Sequence, residues 1–212
     1  MNTAWVFVPV SVLAAGGAVA QMPPRPVFVP QLALNEAASP SGFGSAWNVA
    51  GVERSWEFVV IHHSATTSGS VESIHREHRQ RKDRNGQPWL GIGYHFVIGN
   101  GFGMPDGEIS STFRWRDQIH GAHSGSIRHN ASGIGICLIG NFEYSKPTAA
   151  QKESIVRLIA YLIDRYQISS RRIIGHRHIR ETACPGRHFP LGSIVQESLR
   201  LAETPEHSGR PD

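Results

Sequence analysis

The run Gly133-Ile134-Gly135-Ile136-Cys137-Leu138-Ile139-Gly140 is followed by Pro147-Thr148-Ala149-Ala150-Gln151, and then by Ile155, Leu158, Ile159, Leu162 and Ile163. The first stretch is apolar at every non-glycine position, which predicts a central strand buried on both faces. The second opens on a capping box, in which the Thr148 hydroxyl and the Gln151 side chain satisfy early amide groups. Its apolar residues then recur at helical spacing to about Tyr166. Working outward, Phe58 to Ile61 is a β-branched run that predicts a buried strand ending in His62-His63. Ser70 caps a predicted helix to about Arg81, with Val71, Ile74 and His78 on one face. Gly93 to Ile98 predicts a further strand, Glu108–Phe113 a short one, and Arg172 to Gly175 another that leads into His176. Leu191 to about Leu201 predicts a final helix. Strands alternate with helices, so the expected class is α/β, a single mixed central β-sheet flanked by helices.

The chain has 212 residues, 21 Lys+Arg against 17 Asp+Glu, 12 His and 2 Cys. That length suits one domain with appendages. With 40% hydrophobic and 18% charged residues, it is not a disordered polyampholyte. Two cysteines exclude a disulfide-dense scaffold and a four-cysteine zinc finger. No charged side chain precedes Arg25, and the apolar stretch Trp5 to Leu13 runs into small residues ending Ala18-Val19-Ala20. This predicts an export signal over residues 1–20, cut after Ala20. The apolar part is broken by Pro9 and falls short of the ~20 residues of a membrane span, so no stable membrane insertion is expected after cleavage. An extended arm (21–50), the domain (51–202) and a flexible tail (203–212) follow. The expected location is periplasmic or secreted. A net charge of +4 suits an anionic partner, and no nucleic-acid partner is expected.

Eleven of the 12 histidines fall between His62 and His188. His62 and His63 end one strand, where alternation lets only one of them face a given site. His176 follows another strand, with Cys184 eight residues on. Two imidazoles and a thiolate make a zinc set with an open fourth position. On spacing alone, His176 and Cys184 serve equally well as unrelated loop residues.

Several motifs nevertheless occur in one order: Ile61-His62-His63-Ser64-Ala65-Thr66, Gly93-Tyr94-His95-Phe96, Gly133-Ile134-Gly135-Ile136, the Pro147–Gln151 segment, Gly175-His176-Arg177 and Thr182-Ala183-Cys184-Pro185-Gly186. Together, over roughly residues 54–190, they resemble the zinc-dependent N-acetylmuramoyl-L-alanine amidases of the type 2 family. That family includes the phage lysozyme-amidase and the peptidoglycan recognition proteins. The resemblance implies Zn²⁺ held by His62, His176 and Cys184, with Tyr94 and Thr182 as catalytic residues and His123 lining the substrate groove. It implies peptidoglycan or muropeptides as the partner, and cleavage of the amide between the muramic acid lactyl group and L-Ala. Recognition proteins that have lost catalysis typically lack the Cys, so Cys184 favours an enzyme. The alternatives are a non-catalytic peptidoglycan-binding protein on the same fold and a hydrolase with Cys184 as nucleophile. No Glu stands out as general base, which leaves the proton shuttle between Tyr94 and a neighbouring His.

The other histidines have plainer expectations. His63 and His95 alternate away from the site, His78 is a satisfied core residue, and His120 and His129 face solvent. His178 stands where many relatives carry Asp, which removes a carboxylate partner for a ligand imidazole. Cys137 is expected as an inert buried thiol, with a Cys137–Cys184 disulfide as the exported-protein alternative. Asn130-Ala131-Ser132 matches a glycosylation sequon.

Overall fold

The computed structural model describes residues 52–204 apart from Arg84, together with Trp47 and Val49. The expected export segment, nearly all of the arm and residues 205–212 of the tail lie outside the described residues. In chain order the elements are β1 (Phe58–His63), α1 (Val71–Arg79), β2 (Phe96–Ile98), β3 (Ile109–Ser111), α2 (Phe113–Arg116), α3 (Ile127–Ser132), β4 (Gly133–Leu138), α4 (Ala149–Tyr166), β5 (Ile173–Gly175) and α5 (Leu191–Ala202).

The strands form one mixed sheet in the order β3-β2-β4-β1-β5. β1 runs parallel to β4 and β5, β2 runs parallel to β4, and β3 closes one edge antiparallel to β2. Alternation of side chains then divides the core. Val59 and Ile61 of β1, Phe96 and Ile98 of β2, and Ile134, Ile136 and Leu138 of β4 pack in one layer. Against them lie Ile155, Leu158, Ile159 and Leu162 of α4 and Ile194 of α5. On the opposite face Val97 and Cys137 meet Ile74 of α1, with Ile92, Met104 and Ile139. His62, opposite Cys137 in the ladder, belongs to this α1 face. His63 belongs to the other, where its Nδ1 accepts the Phe142 N–H at 3.1 Å.

The capping box of α4 is present as expected, with Thr148 Oγ1 accepting the Gln151 N–H at 3.0 Å. Several boundaries differ from the sequence reading: β4 ends at Leu138 rather than Gly140, and β5 begins at Ile173 rather than Arg172. β2 begins at Phe96, because Gly93 is drawn aside to accept the Ala122 N–H at 3.0 Å. The short strand ends at Ser111, because Thr112 caps α2 by accepting the Arg114 N–H at 3.2 Å. α1 ends at Arg79, and the N–H groups of Gln80 and Arg81 close its last turn on Glu77 and His78. Among the described residues, no helix is long and apolar enough to cross a membrane.

Candidate functional site

The site lies at the C-terminal ends of the parallel strands β1 and β5. β1 delivers His62, and the turn after β5 delivers His176. A second turn returns Cys184 to them, held by a clasp from Arg177. The Arg177 N–H donates to the Cys184 carbonyl at 2.9 Å, and its guanidinium donates to the carbonyls of Ala183 and Gly186. Sequence reasoning read Arg177 only as part of a motif. Its clasp ties the turn after β5 to the Cys184 turn and could be found only in three dimensions.

One ligand atom from each of His62, His176 and Cys184 lies within 4.8 Å of the others. Cys184 Sγ is 3.7 Å from His62 Nδ1 and accepts the His63 N–H at 3.4 Å. Tetrahedral zinc with Zn–S of about 2.3 Å and Zn–N of about 2.0 Å sets S and N roughly 3.5 Å apart. The donor set and its spacing therefore fit the ion. Burial pushes the His62 imidazole well below its ordinary pKa and lowers that of His176, so both rings are neutral at neutral pH. Burial also pushes the Cys184 thiol up to about 11, which is the opposite of an activated cysteine nucleophile. Both cysteines are free thiols. Cys137 is fully buried, and burial holds its thiol well above the ordinary value.

The other predicted residues surround this group. Tyr94 is half-buried, with its ring centroid 5.1 Å from that of His62, and burial raises its phenol pKa well above the ordinary value. It keeps its proton and is a hydroxyl donor. Thr182 is exposed; its hydroxyl accepts the Cys184 N–H at 3.3 Å, leaving its own proton for another partner. His123 lines the cleft, but it is buried and both ring nitrogens are engaged, one with His62 and one with the Gly133 carbonyl. His95 is a structural residue: Nδ1 accepts the Gly135 N–H at 2.9 Å, so Nε2 donates to the Ile119 carbonyl at 3.1 Å. His78 Nδ1 accepts the Gly93 N–H at 3.0 Å. His120 is exposed, whereas His129 is half-buried, its ring 4.7 Å from that of Phe58. The exposed His178 accepts the Gly175 N–H, and the carboxylate missing there is replaced by the Ser124 carbonyl, 3.1 Å from His176 Nε2.

Tyr94, His123 and His176 line a cleft of about 750 Å³. Its walls carry Arg54, Arg81, Lys82 and Arg180 against a single acid, Asp83, so its field favours an anionic ligand. Arg81 is fixed there over the Trp89 ring, 5.5 Å from its centroid, and paired with Glu77 at 2.6 Å.

A sequence model of the N-acetylmuramoyl-L-alanine amidase family matches residues 52–187. A peptidoglycan-recognition protein of Drosophila simulans is 32% identical over 140 residues, covering 62% of this chain and 69% of the relative. The endolysin of Enterobacteria phage T3 is 32% identical over 135 residues, 61% of this chain and 80% of the relative. Among solved structures, the N-acetylmuramoyl-L-alanine amidase LysC from Clostridium intestinale superposes with a TM-score of 0.57 at 31% identity, over 68% of this chain and 85% of that one.

Proposed function

The chain belongs to the N-acetylmuramoyl-L-alanine amidase family, and from that premise we propose that it is a zinc-dependent hydrolase of peptidoglycan. The bond cut is the amide between the N-acetylmuramic acid lactyl group and L-Ala. The observation that carries this reading is the convergence of His62, His176 and Cys184 within 4.8 Å beside Tyr94, next to a cationic cleft that Tyr94 and His176 line. His62, His176 and Cys184 would hold the ion, with Cys184 bound as the thiolate. The chemistry supplied by a bound zinc ion is Lewis acidity at the amide carbonyl and at the attacking water. Tyr94 donates a hydrogen bond to the oxygen that gains charge as the carbonyl is attacked, and Thr182 offers a second donor. The cations of the cleft bind the anionic muropeptide and hold it over these donors. The apolar segment over residues 1–20 supports export, which brings the enzyme to its substrate.

The test is digestion of purified sacculi with zinc-loaded protein, with the released fragments identified by mass. Expected are free stem peptides with a new L-Ala amino terminus, lost on chelation and restored by zinc. Binding of muropeptides without release of that terminus overturns the hydrolase in favour of a peptidoglycan-binding protein. Tyr94→Phe is expected to keep zinc and lose most turnover; full activity in that variant refutes the role given to Tyr94.

A further inference from the structure

The two-residue segment His123-Ser124 touches both His62 and His176. His62 Nε2 lies 3.0 Å from His123 Nδ1, and His176 Nε2 lies 3.1 Å from the Ser124 main-chain carbonyl. Proton positions follow from which atoms can only accept. His123 Nε2 lies 3.2 Å from the Gly133 carbonyl, so that nitrogen carries the ring proton of a neutral His123 and Nδ1 is bare. A bare Nδ1 takes its hydrogen bond from His62 Nε2–H. His62 is then left with one lone pair, on Nδ1, the atom 3.7 Å from Cys184 Sγ. By the same logic His176 Nε2 donates to Ser124, which leaves its lone pair on Nδ1.

The segment is itself fixed. Asn130 Oδ1 accepts the main-chain N–H groups of His123 at 3.0 Å and Ser124 at 2.9 Å. The His123 ring occupies a slot between two glycines: a Cβ on Gly121 or Gly135 would stand 2.4 or 2.5 Å from its Cδ2. A side chain at either glycine would collide with the ring, so both positions are kept bare where His123 packs.

We propose that His123-Ser124, pinned by Asn130, is a common brace that sets the tautomer of both metal histidines and aims their Nδ1 lone pairs at one point. His123 and Asn130 are thus positioning residues, the first acting through His62 and the second through the brace. The inference rests on reading His62 and His176 as metal ligands and assigns His123 a role apart from substrate contact. A hydrogen-bonded partner behind a ligand imidazole is commonly worth about 10–100-fold in metal affinity.

The test reads tautomers directly. Long-range ¹H–¹⁵N correlation spectra of chelator-treated, histidine-labelled protein near pH 7.5 are expected to show His62, His123 and His176 all protonated on Nε2. His123→Leu is expected to lose the single His62 tautomer and about 10–100-fold in zinc affinity, measured by competition with a chromophoric chelator. Asn130→Leu is expected to weaken zinc binding in the same direction. Asn130→Asp, which keeps an oxygen acceptor for both N–H groups, is expected to recover most of it. A wild-type His62 or His176 protonated on Nδ1 overturns the proposal, and that spectrum decides even if His123→Leu does not fold. A folded His123→Leu with unchanged zinc affinity overturns it as well. The tautomers are read without metal, so a protein that shows them but takes up no zinc supports the brace and overturns the metal reading instead.

Discussion

Lowering the pH of the metal-free protein sets the five buried imidazoles of the described residues against the fold, and three of them already make the effect large. His62, His95 and His123 are 1%, 0% and 8% exposed, and burial holds each below its ordinary pKa, His123 at about 3. Their hydrogen bonds also require the neutral ring, since His95 Nδ1 and His123 Nδ1 both act as acceptors. In the unfolded chain each takes up a proton near pH 6.5. Below that value the unfolded state binds more protons than the native one, so stability is full above about pH 7 and falls as the medium is acidified. Each imidazole contributes a slope of about 1.4 kcal/mol per pH unit, so three give roughly 4 kcal/mol per unit and about 5 kcal/mol between pH 6.5 and 5. Domains of this kind have about 5–15 kcal/mol in total, so the metal-free protein is expected to be marginal or unfolded near pH 4.5. The assay is urea unfolding of chelator-treated protein at pH 8, 6.5, 6, 5.5 and 5, followed by tryptophan fluorescence. A loss no larger than one imidazole's share, about 1.5 kcal/mol between pH 6.5 and 5, refutes the picture of three neutral buried rings.

Three further outcomes follow from the packing. Gly135→Ala places a methyl group 2.5 Å from the His123 ring and is expected to cost about 1–3 kcal/mol in urea unfolding, with weaker zinc binding in chelator competition. Leu158→Ala empties a fully buried position between α4 and the sheet and should lower stability by about 2–5 kcal/mol without changing the metal content of the folded protein. Thr148→Ala removes the α4 cap, an expected loss of about 1 kcal/mol read from the thermal midpoint, with hydrolysis at room temperature retained.

Elements with strong local signals were legible in the sequence. β1 and β4 are continuous apolar runs, and α4 combines a capping box with helical spacing. α3 was not legible, because none of its residues is buried and Ile127 is 89% exposed, so no apolar period marks it. α2 is four residues long, too short for a period to register. At the site, alternation along β1 separated His62 from His63, and the family resemblance grouped His62 with His176 and Cys184. What sequence could not show is what each imidazole touches. His123 reads as a groove residue, with nothing to show that its ring also meets His62, and Asn130 reads as a sequon, with nothing to show that its side chain holds the His123-Ser124 main chain. These are contacts between separate loops and strands, and no local pattern encodes them.

Both outermost strands of the sheet are short. β3 and β5 each have three residues, while the six-residue strands β1 and β4, buried along their whole length, lie inside. Unpaired edge groups are what another chain docks onto when proteins self-associate through strands. A three-residue edge offers too few of them for stable pairing, and the most β-prone segments of the sequence are sealed from neighbours once the sheet closes. The same strand order that brings the ligands together thus protects a concentrated solution of the folded protein from strand-mediated aggregation.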